Sequence, residues 1–185
     1  MLDEDALGEF IDAHFRESGD RLFRMERLPL YHVPAQAAEL ERWRAGATEP
    51  NWEQKQGWLD TLAEEQRRGL ISQRVRRFGR KLTEDELMSC HWGYAYNGRY
   101  EDIRVLHTGE HDIPAGLIEL DYWIVADTHV VPMIYDADGR FVGAEVLPAD
   151  QVAEFIRDRD RAWATAEPFG PWWARHTELH RRPAA

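Results

Sequence analysis

Residues 101–146 read EDIRVLHTGEHDIPAGLIELDYWIVADTHVVPMIYDADGRFVGAEV. Apolar and polar residues alternate here with the period of two that a half-buried strand requires. The pattern predicts strands over 102–107, 119–126, 129–135 and 140–147. Asp136-Ala137-Asp138-Gly139 separates the last two and reads as a hairpin, with Gly139 in the left-handed conformation of a bulged loop. Upstream, 70–78 reads as a strand carrying Arg74, Arg76 and Arg77. Residues 21–28 are a further candidate strand, with Leu22, Arg24 and Glu26 opposite Phe23, Met25 and Arg27, and Pro29 ending it.

Helical patterns surround these strands. Over 3–18, Leu7, Phe10, Ile11, His14 and Phe15 share one face, with Asp3, Glu4 and Asp5 at the positive end of the helix dipole. Pro34 opens a helix to Ala45, and a second runs from Trp52 to Arg68 with Trp58, Leu59 and Leu62 inward. Thr83-Glu84-Asp85-Glu86 is a capping box for a helix that carries Leu87, Cys90, His91 and Tyr94 and ends at Asn97-Gly98. Pro148-Ala149-Asp150 opens a final long helix with Asp150 as cap and Val152, Phe155, Ile156 and Trp163 on its face. The expected class is α+β, an antiparallel β-sheet packed against N- and C-terminal helices. Residues 1–168 form the expected single domain, and 169–185 an accessory tail with a short helix from Trp172 to Arg182.

Composition narrows the functional classes. The chain is 43% hydrophobic and 31% charged, an ordinary globular balance, but its eight Trp are many. Trp combines large buried area with one donor needing a partner, which places several at a core edge or an interface. A net charge of −11 disfavours nucleic acid as a direct partner, because phosphate binding needs a positive face. The single Cys90 excludes an intrachain disulfide and a cysteine zinc finger. No apolar run reaches the ~18 residues of a membrane span, and the acidic N-terminus is unlike a secretory signal, so a cytoplasmic location is expected.

Four segments occur in order: Glu101-Asp102-Ile103-Arg104, Asp121-Tyr122-Trp123-Ile124, Tyr135 to Glu145, and Arg159-Asp160-Arg161-Ala162-Trp163. That order resembles an uncharacterised actinobacterial family, a domain of unknown function, over roughly residues 5–168. Members of that family are often encoded beside helix-turn-helix regulators. The resemblance implies an accessory or regulatory role, and supplies no catalytic residues.

The sequence offers several candidate sites. His107 and His111, with Asp112 and His129, have ligand chemistry, but a metal needs them to converge with oriented imidazoles, and the intervening Thr108-Gly109 favours a polar loop. No metal or other cofactor is expected. Asp102 and Arg104 share a strand face, as an ion pair or as an anion-binding arginine with its orienting carboxylate. Asp121 beside Trp123 is a carboxylate open to desolvation, which raises a pKa toward acid–base use. Arg74, Arg76 and Arg77 belong to the one dense basic run, read as a solvated face available to a protein partner, with phosphate, or the acidic 101–145 segment of another copy or of the same fold, as alternatives. Cys90 and His91 are adjacent, so they diverge on a helix and do not form a nucleophile–base pair. No nucleophile elbow, Walker loop or dinucleotide fingerprint is present.

The expected function is therefore that of an intracellular regulatory or accessory protein. It would act through protein or small-ligand binding, with a helix-turn-helix regulator as one candidate partner. Ligand-binding candidates are Asp102, Arg104, Asp121, Trp123, His129 and Tyr96; partner-binding candidates are Arg74, Arg76 and Arg77. The alternative is an enzyme with an aromatic and acidic pocket of Trp92, Tyr94, Tyr96 and Trp123 with Asp102, Asp121 and His129, suited to a small cationic or aromatic molecule.

Overall fold

The computed structural model describes residues 1–180, apart from the side chains of Pro34 and Ala35. One sheet contains β1 (Arg21–Glu26), β2 (Ile71–Phe78), β3 (Glu101–His107), β4 (Tyr122–Val125), β5 (His129–Tyr135), β6 (Phe141–Ala144) and β7 (Glu167–Pro168). Its spatial order is β6-β5-β4-β1-β2-β3-β7. The α+β expectation holds and most pairings are antiparallel, but β1–β2 and β2–β3 run parallel. The connections explain the difference. Helices α2 (Pro34–Arg44) and α3 (Trp52–Arg67) separate β1 from β2, while α4 (Glu84–Met88), a π-helix (Ser89–Tyr94) and α5 (Ala95–Asn97) separate β2 from β3. Parallel neighbours need crossovers of that length, whereas the short turns after β4 and β5 reverse the chain directly.

Register divides the sheet into two unlike faces. On one, Phe23, Met25, Val75, Leu106, Tyr122, Ile124 and Val130 pack against Val152, Phe155 and Ala162 of α6 (Val152–Thr165). Asp158 anchors that helix: its carboxylate accepts from Tyr122 Oη and from the Ile118 amide, each at 2.8 Å. The opposite face is apolar only at its flanks. Leu22, Val125, Val131 and Met133 meet Leu7 and Phe15 at the α1 (Glu4–His14) end. Phe78, Ile103 and Val105 meet Cys90, Tyr94, Phe169 and Trp172 at the other. Between these clusters the central strands β1 and β2 place Arg24 beside Arg74 and Glu26 beside Arg76.

Local chemistry mostly follows the sequence. The capping box is complete, with Thr83 Oγ1 accepting from the Glu86 amide and Glu86 Oε2 from the Thr83 amide. Gly139 has φ +80°, and a Cβ there would lie 2.6 Å from the Leu30 carbonyl oxygen. Other expectations need correction. Asp150 makes no cap hydrogen bond; a 3-10 turn over Ala149–Gln151 leads into α6 instead. Trp58 is 38% exposed rather than inward with Leu59 and Leu62. The expected accessory tail begins with α7 (Phe169–Arg175), whose Trp172 is wholly buried against Phe78. Residues 181–182 of the expected tail helix lie outside the described residues. No described helix is long and apolar enough to cross a membrane.

Candidate functional site

The charged centre of the sheet is the floor of a cavity of about 340 Å³. Arg24 Nη1 donates to Glu101 Oε1 at 2.9 Å, and Arg74 Nε donates to the same oxygen at 3.0 Å. Arg74 Nη1 also donates to both oxygens of Glu26, at 2.7 and 2.8 Å. These four side chains are a set in which each ion pair is closed by another member. Glu101 is 2% exposed. Burial disfavours its carboxylate, but Arg74 and Arg24 outweigh that cost and hold its pKa below the usual carboxylate value.

Arg76 extends the floor. It is 1% exposed, and its Nη2 donates to Glu86 Oε1 at 3.1 Å and to the Leu28 carbonyl at 2.5 Å. The capping glutamate of α4 therefore also holds a floor arginine. Arg76 Nη1 reaches Tyr31 Oη at 3.3 Å, and Tyr31 in turn donates a short hydrogen bond to Asp121. Burial raises the Asp121 pKa to about 6, against the lowering effect of the Tyr31 hydrogen bond.

Aromatic side chains make the walls: Tyr31, Trp58, Tyr94, Trp123 and Tyr135 all line the cavity. Arg24 lies 5.0 Å from the Trp123 ring centroid and Arg74 5.7 Å from that of Tyr94, within cation–π range. Ser89, Gly93 and Tyr94 come from the π-helix, a wider turn that recurs at functional positions. A second cavity of about 620 Å³ shares Val33, Gln36, Trp58, Ser89 and Gly93 with the first and adds Lys55. Lys55 Nζ donates to Asn97 Oδ1 at 2.6 Å. Burial, reinforced by Arg74, lowers its pKa to about 8.

Few of the sequence candidates meet here. Trp123 lines the cavity, and Asp121 touches it through Tyr31. Asp102 and Arg104 belong to the opposite face: Arg104 stacks 4.2 Å from the Trp163 ring centroid and is 3.9 Å from the Asp102 carboxylate. Tyr96 packs on Trp52, with Lys55 6.0 Å from its ring centroid. His129 packs against His14 and Phe10 at the start of β5. The β-sheet register puts it level with the beginning of β3, whereas His107 is at the end of β3, so the two histidines do not converge. Among the described residues no cluster has metal-binding geometry. His107 and His111 instead join Glu110, Glu167, Arg175 and His176 in a network that fastens α7 to β3. Trp92 packs edge-on against Trp43 and lines the outer cavity. Cys90 is fully buried, and burial pushes its thiol pKa up, as expected of a packing cysteine.

The basic run meets the chain's own acidic segment, Arg74 through Glu101 and Arg77 through Glu119, and the solvated-face reading needs correction. Arg74 and Arg76 are not a solvated face: both are taken up by carboxylates under the cavity, and neither is presented to a macromolecule. Parity within β2 decides this, since alternate residues face the α6 side, where Arg77 pairs with Glu119. The sequence reading missed Glu26, Tyr31 and Lys55 as members of one site. A usable signal existed in Arg24-Met25-Glu26 and Arg74-Val75-Arg76: charges two apart whose intervening residue is apolar, in strands with no edge.

No curated protein and no solved structure matches the chain. A family model described as a domain of unknown function, DUF6879, matches residues 9–174, a span that includes the whole floor and walls of the cavity and the buried Trp172. The chain belongs to that family.

Proposed function

We propose that this is a regulatory or accessory protein that binds a small ligand in the charged, aromatic-walled cavity and passes its occupancy on to a protein partner. One observation carries the reading: a closed set of buried ion pairs lies under an open cavity at the centre of the sheet. Buried ion pairs are a poor source of stability, since desolvation offsets most of their attraction. Apolar side chains would complete that face at least as well. Pockets with convergent polar groups, aromatic walls and shifted pKa values are the usual form of a ligand site.

The enzymatic alternative has less support. Asp102, Asp121 and His129 are dispersed over two faces and both ends of the sheet. Helices α2 and α3 contribute Gln36, Lys55 and Trp58 to the lining. A ligand that touches these residues alters the seating of the helical pair and so the surface a partner meets. The resemblance to actinobacterial domains encoded beside helix-turn-helix regulators supplies the candidate partner and an intracellular setting.

The reading is tested by thermal-shift screening of the full chain against a metabolite collection spanning acids, bases and neutral compounds. At least one compound should raise the melting temperature, and Trp123→Ala should abolish its effect. A hit should also change co-purification with a helix-turn-helix regulator encoded beside the gene. A blank screen overturns the ligand reading, and a regulator that never co-purifies removes the proposed partner.

A further inference from the structure

The charged groups of the central cavity are already engaged. Glu26, Arg74 and Arg76 are its charged lining residues. Arg74 is held by Glu26 and Glu101, and Arg76 by Glu86. A charged ligand would have to displace a member of this set. The groups left open are neutral. Among the described residues, Tyr94 Oη, Tyr135 Oη, Trp123 Nε1 and Asn97 Nδ2 line the cavity without a hydrogen-bond partner. The Asn97 amide is oriented by Lys55, whose ammonium can only donate and so faces Oδ1, which leaves Nδ2 as the free donor. These four atoms are not among the partnerless polar atoms sealed from solvent, so a ligand in the cavity can reach them. Burial raises the pKa of both phenols, and both sense the charges of Glu26 and Arg76, which sets their hydroxyls over the same part of the floor. Protonated, each can donate and accept.

The ring faces give the second observation. Arg76, Arg74 and Arg24 lie against Tyr31, Tyr94 and Trp123, and so fix these rings while remaining in their ion pairs. Trp58 differs: among the described residues no ring and no cation packs on it, and it is 38% exposed at the rim shared by the two cavities. An open indole face is a platform for a flat ring, and nucleobases stack on such faces whatever their identity. The edge of a nucleobase carries donors and acceptors side by side, which two hydroxyls and two N–H groups can pair. A sugar has the hydrogen-bonding groups but no π-face; an apolar ring has the face but no hydrogen bonds.

We infer that the cavity takes an uncharged, nucleobase-like heterocycle, its ring against Trp58 and its edge paired with the Tyr94 and Tyr135 hydroxyls, the Asn97 amide and the Trp123 N–H. The inference rests on the ligand reading above and narrows it to one chemical class. It also gives the buried ion pairs a task, since they hold the rings that carry the open groups.

The experiment is calorimetry on the full chain at pH 7 with adenine, hypoxanthine, cytosine and uracil. Indole and toluene serve as apolar rings, glucose as the sugar, and orotate as a uracil bearing a carboxylate. At least one base should bind about tenfold or more tighter than the apolar ring of its size and than glucose and orotate. Tyr94→Phe and Tyr135→Phe each remove only an unpartnered hydroxyl, so both variants should melt within about 2 °C of the wild type. Each should weaken base binding about threefold or more and leave apolar-ring binding unchanged. Trp58→Ala should weaken both. Equal affinity for base and apolar ring, tighter binding of glucose or orotate, or base binding untouched by both phenylalanine variants overturns the nucleobase class. The ligand reading survives in those cases. If no base binds at about 1 mM, the class falls; whether the ligand reading falls with it is decided by the unbiased screen.

Discussion

Arg76 shows how a strand residue becomes part of a site. Its neighbours in β2 alternate between two faces, and parity sends it under the cavity, where Tyr31, Leu28 and Glu86 hold it. Asp121, one hydrogen bond further on, titrates in a useful range. Its folded pKa of about 6 lies above the ordinary 3.8, so the native state holds a proton that the unfolded state has released. Between about pH 4 and 6 this makes stability fall as pH rises, with a slope of up to about 1.4 kcal/mol per pH unit. Asp121→Asn should flatten that part of the stability–pH curve, and denaturant melts from pH 4 to 7 would measure it. An unchanged slope contradicts the desolvated carboxylate. Gly139 gives a second test at this scale. A side chain there meets both a positive φ and the Leu30 carbonyl, so Gly139→Val should cost about 1–3 kcal/mol. A melting temperature equal to that of the wild type would rule out the bulged loop.

Among the elements, those with strong local signals were legible. The hairpin of β5 and β6, the capping box at Thr83 and the start of α2 at Pro34 each depend on residues within a few positions. What could not be read depends on distant packing. Sheet order does, and so does the parallel placement of β1 beside β2 across two helices. The same holds for the π-helix, which has no spacing that marks it in advance. The site was legible in part: Trp123, Asp121 and the arginines stand out in the sequence, but Arg74 and Arg76 read as exposed unless strand parity is joined to a buried central position. The end of the chain is easily undervalued for a related reason. Trp172 follows a Pro-Phe-Gly-Pro stretch that looks like a terminator, yet α7 turns back and buries it. Trp172→Ala should cost about 3–5 kcal/mol, the scale of a large aromatic cavity in a core. Urea unfolding measures this, and a loss below about 1 kcal/mol would mean that α7 is only an appendage.

At the scale of the molecule, one apolar face and the two apolar flanks of the other do the work of folding, and one charged zone separates those flanks. Face-to-face burial against α6 and the clusters around α1 and α7 surround this zone without entering it. Breaking the zone one residue at a time is expected to be damaging. Glu101→Leu leaves Arg24 and Arg74 without a shared carboxylate and should cost about 3–5 kcal/mol. Removing the whole set is a different experiment, because Arg24, Glu26, Arg74 and Glu101 satisfy one another. The most direct test of a floor built for binding rather than for stability is therefore the thermal unfolding of the quadruple variant Arg24→Met, Glu26→Leu, Arg74→Met, Glu101→Leu. The variant is predicted to fold cooperatively, with a melting temperature equal to or above that of the wild type, while no compound that stabilises the wild type through the cavity stabilises it. Loss of cooperative unfolding, a melting temperature more than about 5 °C below the wild type, or an undiminished response to those compounds would contradict it.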